Sequence, residues 1–195
     1  PSFGTGKGDE NMETNLLVAG FGGQGIMMLG KLLSDAACDS AQRNVTFFPS
    51  YGAEQRGGTA NCYVVISDDP IGVPVGDVMD DLIVMNAPSL NRFIGILKRG
   101  GTLFINSSIV REEISRDDVR IVKAPVTDLA LELGNPRALN IIMLGVYVGC
   151  TGILGEDIVE DALVRELGKK ESLIQLNREA FRRGLEIGKK QQPKG

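Results

Sequence analysis

Leu16-Leu17-Val18-Ala19 runs straight into Gly20-Phe21-Gly22-Gly23-Gln24-Gly25 and then Ile26, and this junction restricts the fold more than any other stretch. A short, continuous apolar run suits a strand covered on both faces, as in parallel sheets. Glycines spaced G-x-G-x-x-G turn the chain sharply from strand to helix, leaving amides at the helix start that favour an anion. The spacing is that of a dinucleotide fingerprint, in which an acidic residue about 20 positions on holds the ribose. Here that region reads "QRNVTFFPS", with Arg43 and no carboxylate after Val45. NAD is therefore disfavoured. NADP would have to use Arg43, without any His or Tyr-x-x-x-Lys pair for chemistry, and a turn needing glycine for packing alone is a third reading.

Beyond the turn, strands and helices alternate. Ile26–Ala41 reads as a helix with Ile26, Leu29, Leu33, Ala36 and Ala37 on one stripe, which places Cys38 in the core. Val45–Phe48, Asn61–Ile66, Asp81–Met85, Thr102–Asn106 and Val119–Lys123 read as strands, with Gly100-Gly101 as a break after a helix over Pro88–Lys98. The last third is helical. Val126–Leu133 has Thr127 as candidate N-cap and Gly134 as stop. Asn140–Cys150 is apolar on nearly all sides, and its Gly145-x-x-x-Gly149 suits close helix packing. Asp157–Leu167 and Lys170–Lys190 follow, the latter with Leu173, Leu176, Ala180 and Leu185 inward. These elements predict an α/β fold: a mostly parallel sheet flanked by helices, Rossmann-like at its start, with a helical C-terminal third. Residues 1–13 read as a disordered leader or appended remnant with Met12 as natural start, 14–190 as one α/β domain, and 191–195 as a tail.

Two absences narrow the chemistry. No His occurs, so a Ser-His-Asp triad or a His-ligated metal is excluded. Cys38, Cys62 and Cys150 are far apart and number three, so the chain cannot supply four thiolates to an iron–sulfur cluster. A net charge of -4, no basic block and no Trp argue against nucleic acid. The longest apolar stretch, Ile141–Leu154, is too short to cross a bilayer. With no export signal, the cytoplasm is expected.

A second constellation is Tyr51-Gly52-Ala53-Glu54-Gln55-Arg56-Gly57-Gly58-Thr59. Arg56 between glycines can present its planar fork to a carboxylate or phosphate, and a solvated surface turn is the plain alternative. Asp68, Asp69, Asp77, Asp80 and Asp81 match no calcium-loop spacing and read as solvated surface. Met27-Met28 reads as packing, and Lys98-Arg99 as a favourable charge at a helix end.

Taken in order, "AGFGGQG", "FFPSYGAEQRGGTANCYVVISDDPI", "DLIVMNAPSLNRF", "GGTLFINSS" and "ELGNPRALNIIMLG" resemble the gamma subunit of the 2-oxoacid:ferredoxin oxidoreductases, from about Leu16 to Ala180. The wording "PSYGAEQRGGTANC" is more similar to the 2-oxoglutarate or branched-chain members than to the pyruvate enzyme. The resemblance implies a multisubunit enzyme of anaerobic metabolism that decarboxylates a 2-oxoacid on thiamine diphosphate. Electrons pass through iron–sulfur clusters to ferredoxin, and coenzyme A takes the acyl group. It places thiamine diphosphate on alpha and beta subunits and the clusters on cluster-bearing ones, one of them small, so the isolated chain carries no cofactor and is inactive. The gamma domain is then associated with the coenzyme A path and with closing the site. Position by position, the matching residues are Gly20, Gly22, Gly23, Gln24 and Gly25, with Tyr51, Gly52, Glu54, Arg56, Gly57 and Gly58. A stand-alone NADP-binding oxidoreductase and a purely structural subunit remain the alternatives.

Overall fold

A computed structural model describes residues 12–51, 59–168 and 171–193. The apolar run becomes β1 (Glu13–Phe21), which sits inside a six-stranded sheet with Leu16 and Val18 buried on one face and Leu17 and Ala19 on the other. Two more strands, β2 (Asn44–Tyr51) and β3 (Thr59–Ser67), form an antiparallel hairpin, and β3 pairs antiparallel with β1. On the other side β4 (Met79–Val84), β5 (Leu97–Asn106) and β6 (Arg120–Ala124) follow in parallel, giving the order β2-β3-β1-β4-β5-β6. Three of the five pairings are parallel, as the alternation of strands and helices requires.

Helix α1 (Ile26–Asp35) begins where the sequence places it, and all five predicted stripe residues are buried. The chain then widens into a π-turn over Ala36–Ser40 instead of continuing as α-helix. That extra residue per turn shifts the phase, so Cys38 is exposed and not in the core. Helix α2 is Ala87–Phe93, followed by one 3-10 turn, and β5 already starts at Leu97. Lys98-Arg99 therefore lies on a strand, and the Gly100-Gly101 pair is carried within β5 and not before it. Helix α3 spans Val126–Glu132 with Pro125, not Thr127, at its cap. The Thr127 hydroxyl instead accepts from Asn106 Nδ2 at 2.9 Å.

The remaining helices are α4 (Leu139–Thr151), α5 (Glu156–Leu167) and α6 (Glu171–Lys189). Every residue of α4 from Asn140 to Cys150 is buried, because α4 is held between the sheet and α6. Glycines on both helices make that fit. A β-carbon on Gly145 would lie 2.2 Å from Phe181 O, and one on Gly184 would lie 2.0 Å from Ile142 O. The α6 spacing Gly184-x-x-x-Gly188 answers the α4 spacing Gly145-x-x-x-Gly149. Along α6, Ala180 and Leu185 are buried as expected, but Ile174 is buried in place of Leu173, which is exposed, and Leu176 is only half-buried. Helices α1 and α3–α6 share the core on one sheet face, and α2 with Val110 covers the other.

One polar contact crosses the larger core. Tyr147 of α4 donates its hydroxyl to Asp81 of β4 at 3.0 Å, with the Tyr147 ring edge-on to Phe104. Asp81 is buried, contrary to the expectation of solvated surface. Its partner lies 66 residues away, so no local pattern reveals it. Burial pushes the Asp81 carboxyl up to about 6, against the downward pull of the Tyr147 hydroxyl.

Two predictions follow from the core. Gly184→Val forces a branched side chain onto the α4 backbone and should cost about 3 kcal/mol, the upper end of typical overpacking, read as a lower urea midpoint. An unchanged midpoint would refute the close approach. An unfolded Asp titrates near ~3.9, so the folded chain retains the Asp81 proton over a range where the unfolded chain has lost it. That stabilisation is complete below about pH 4 and is lost as pH rises through about 6. Asp81→Asn keeps an acceptor for Tyr147 and cannot ionise. Its stability relative to the parent should therefore rise by up to about 3 kcal/mol between acidic and neutral pH. A difference that stays constant in urea titrations at the two pH values contradicts this.

Candidate functional site

Strand β1 leads to α1 on one face of the sheet, while its neighbour β4 leads to α2 on the other. The C-terminal ends of β1 and β4 therefore form a topological switch point, where open α/β sheets leave a crevice for ligands. The glycine turn sits at this point, with Gly22–Gln24 as a single 3-10 turn and Gly25 starting α1.

The four glycines serve different ends. A β-carbon on Gly20 would lie 2.6 Å from Ile26 Cδ1 and 2.9 Å from Met85 Cβ, so glycine is needed there for packing. Gly25 has φ +70°, and a β-carbon on it would lie 2.4 Å from Asn140 Nδ2. Gly22 and Gly23 are different: both are exposed, neither has positive φ, and a β-carbon on either would meet nothing within 4 Å. Nothing within the described chain requires glycine at these two positions.

Three amide side chains brace the turn. Gln24 Oε1 accepts from the Phe21 N–H at 2.7 Å, and Gln24 Nε2 donates to Met85 O at the end of β4 at 2.9 Å. Asn86 Nδ2 donates to Gln24 Oε1 at 3.4 Å, while Asn86 Oδ1 caps α2 by accepting from Ser89 N at 2.8 Å. Asn140, in the first turn of α4, donates to Gly25 O at 3.2 Å. The Gln24 side chain, expected from the sequence to face a ligand, is thus engaged inside the chain. Asn86 and Asn140 were not singled out by sequence reasoning. For Asn86 a signal exists: Asn two residues before Pro88 is a helix-start pattern.

Tyr51 and Thr59, which flank residues 52–58, close the β2–β3 hairpin at this same edge. Tyr51 pairs with Ala60, and Thr59 pairs with Phe21. Gly52, Glu54, Arg56, Gly57 and Gly58 lie outside the described residues. Arg92 of α2 reaches Thr59 Oγ1 at 3.3 Å and stacks on the Phe93 ring, placing a cation beside the end of β1. No carboxylate occupies the first turn of α1 or α2. Three ion-paired carboxylates lie at the opposite edge, where Arg43 meets Asp68, Lys98 meets Asp80 and Arg116 meets Asp118.

That opposite edge also removes the NADP reading. Arg43 stands before β2, held by Asp68, by Met12 O at 3.1 Å and by Ile153 O at 3.3 Å, across the sheet from the turn. In addition, β3 is inserted between β2 and β1, whereas a dinucleotide fold pairs its first two strands directly. Met27 and Met28 are half-buried and line a shallow groove with Phe47 and Pro49. Among the described residues no group of three or more Cys, Asp or Glu is placed to hold a metal ion, and no helix is long and apolar enough to cross a membrane.

Residues 15–187 match the family described as pyruvate ferredoxin/flavodoxin oxidoreductase. The ketoisovalerate oxidoreductase subunit VorA of Methanothermobacter marburgensis is 37% identical over 183 residues, covering 93% of this chain. This chain spans only 38% of VorA. Among solved structures, the gamma subunit of a keto/oxoacid ferredoxin oxidoreductase from Geobacter sulfurreducens superposes with a TM-score of 0.82 at 26% identity, covering 92% of this chain and 98% of that one. The 2-oxoglutarate:ferredoxin oxidoreductase from Magnetococcus marinus, solved with 2-oxoglutarate, coenzyme A and succinyl-CoA bound, superposes with a TM-score of 0.85 at 26% identity. It covers 93% of this chain and 32% of that one.

The unequal roles of the glycines predict unequal folding effects. Gly25→Val combines strain at positive φ with displacement of Asn140 and should cost about 2 kcal/mol or more. Gly22→Val should change stability by only about 0.5 kcal/mol, as surface changes usually do. Thermal unfolding of the two variants checks the contrast, and equal losses would contradict it.

Proposed function

The chain belongs to the pyruvate ferredoxin/flavodoxin oxidoreductase family, and we propose that it works as the gamma subunit of a multisubunit 2-oxoacid:ferredoxin oxidoreductase, contributing to the coenzyme A path and to closing the site. The substrate is a 2-oxoacid of the 2-oxoglutarate or ketoisovalerate type, as the names of its relatives and the wording around Arg56 suggest. Alpha and beta subunits and a small cluster-bearing subunit are the expected partners, with ferredoxin as electron acceptor.

The residues present do not fit an iron–sulfur cluster. Cys62 and Cys150 are buried on separate elements, and Cys38 is exposed on a third. Burial pushes the Cys62 thiol up to about 12, so it stays protonated. Cluster chemistry is therefore assigned to the partner subunits, where the family resemblance also puts thiamine diphosphate.

Coenzyme A fits better. It supplies the thiol that accepts the acyl group, and its phosphates need donors free of competing carboxylates. The observation that carries this reading is the pair Gly22 and Gly23, exposed at the switch point and required as glycine by nothing among the described residues. An anion can approach such a turn closely at the start of α1. Arg56 would add a planar, charge-assisted contact from the adjoining loop.

The test is made in the complex purified through this chain. Gly22→Val should raise the KM for coenzyme A while the complex still assembles. Arg56→Ala removes a desolvated charged contact and should cost about 2–5 kcal/mol, seen in KM or in subunit co-purification. Arg56→Lys should also impair function, since lysine lacks the bidentate fork. Parent values for all three variants would leave the chain as a purely structural subunit.

A further inference from the structure

We infer that Arg137, in the 3-10 turn that opens α4, binds a phosphate of coenzyme A beside the glycine turn, with Asn140 holding that turn to the start of α4. This rests on the coenzyme A reading and adds to it a charged contact from outside the glycine motif.

Two helices start at this edge of the sheet. Asn140 meets Gly25 O just past the end of β1, and Tyr147 meets Asp81 near the N-terminal end of β4. Helix α4 therefore runs down the sheet in the same direction as α1, and the positive ends of both dipoles lie beside Gly25. Their first turns carry no carboxylate. Asp128, in the first turn of α3, follows β6, three strands along from β1. The 3-10 turn Pro136–Ala138 passes directly into α4 at Leu139, and residues three apart on a helix share a face. Arg137 thus stands on the side of the helix start from which Asn140 reaches Gly25.

Nothing in the fold employs the Arg137 guanidinium. It is exposed and makes no ion pair or hydrogen bond among the described residues, while Glu132, earlier in the chain on α3, pairs with Arg183. A cation at a helix N-terminus opposes the dipole, so an unpaired arginine there costs stability until an anion joins it. Asn140 supplies an independent sign. It is 3% exposed, and nothing among the described residues donates to its Oδ1. Gly25 O can only accept, which fixes Nδ2 toward the turn and leaves Oδ1 as the free end of the amide. That oxygen is not enclosed, so it can receive a hydroxyl or amide proton of a ligand lying against the turn. An arginine fork, an oriented amide and two exposed glycines thus gather around the start of α1. Such a donor set suits a phosphate with a hydroxyl or amide nearby, as coenzyme A carries.

The experiment uses the assembled complex with this chain altered. Arg137→Met keeps the length and loses the charge. It should raise the KM for coenzyme A about tenfold or more, as loss of a hydrogen bond to a charged group does. The KM for the 2-oxoacid should stay near the parent value, and the melting temperature should not fall, since the side chain carries no contact in the fold. Pantetheine has the accepting thiol and no phosphate, so its kcat/KM should match the parent's. Arg137→Lys should lie between Arg137→Met and the parent, with the charge present and the fork absent. Asn140→Asp sets a carboxylate beside the phosphate and should raise the KM for coenzyme A while sparing pantetheine. A parent KM for coenzyme A in Arg137→Met, with or without a lower melting temperature, overturns the inference. So does an equal loss with pantetheine. If Gly22→Val raises the KM for coenzyme A while the Arg137 and Asn140 variants do not, the inference fails and the coenzyme A reading stands. If none of these variants raises it, that reading itself fails.

Discussion

Helix α4 can pass through the middle of the protein only because α6 lies against it at glycine-to-backbone distance, and the rest of the arrangement hangs on that contact. A helix buried all round leaves no side of its own for water, so its few polar side chains must find partners inside. Tyr147 finds Asp81 of β4, and Asn140 finds Gly25 O at the start of α1. The same packing that builds the core therefore also fixes one side of the glycine turn. Anything that pushed α4 and α6 apart would be felt at the switch point.

The turn is best understood as a division of labour among similar residues. Gly20 and Gly25 are demanded from within, by packing and by backbone conformation, and Gln24 and Asn86 hold the ends of β1 and β4 together. Of the turn's four glycines, Gly22 and Gly23 are the exposed pair, beside an exposed Phe21. At the opposite edge of the sheet Asp68, Asp80 and Asp118 pair with Arg43, Lys98 and Arg116. The edge carrying the turn has Arg92 beside it and no acidic residue in the first turn of α1 or α2. A phosphate-bearing ligand therefore meets no like charge from either helix start.

Much of this was legible in the sequence where the signal is local. The strand, turn and helix around Gly20–Ile26 are carried by an apolar run and glycine spacing, and the α4 glycines by their four-residue interval. Where the deciding partner lies far away, the sequence does not show it. Asp81 reads as surface because Tyr147 is 66 residues on, and nothing local in the sequence announces the brace from Gln24 to Met85 O, 61 residues on. Cys38 was misplaced by a π-turn that shifts helical phase without any Gly or Pro to announce it. The β2–β3 hairpin reads as a long connection because pairing extends to Tyr51 and Thr59, into residues that look like loop. The open glycine pair and the closed ones share one motif, and only the surroundings tell them apart.

Hydrogen–deuterium exchange on the assembled complex, with and without coenzyme A, tests most directly whether this edge of the sheet faces the ligand. The account predicts slower exchange on addition of coenzyme A over residues 21–28 and 52–59, with α4–α6 unchanged. Protection confined to the other subunits, with both of these segments exchanging as before, would contradict it.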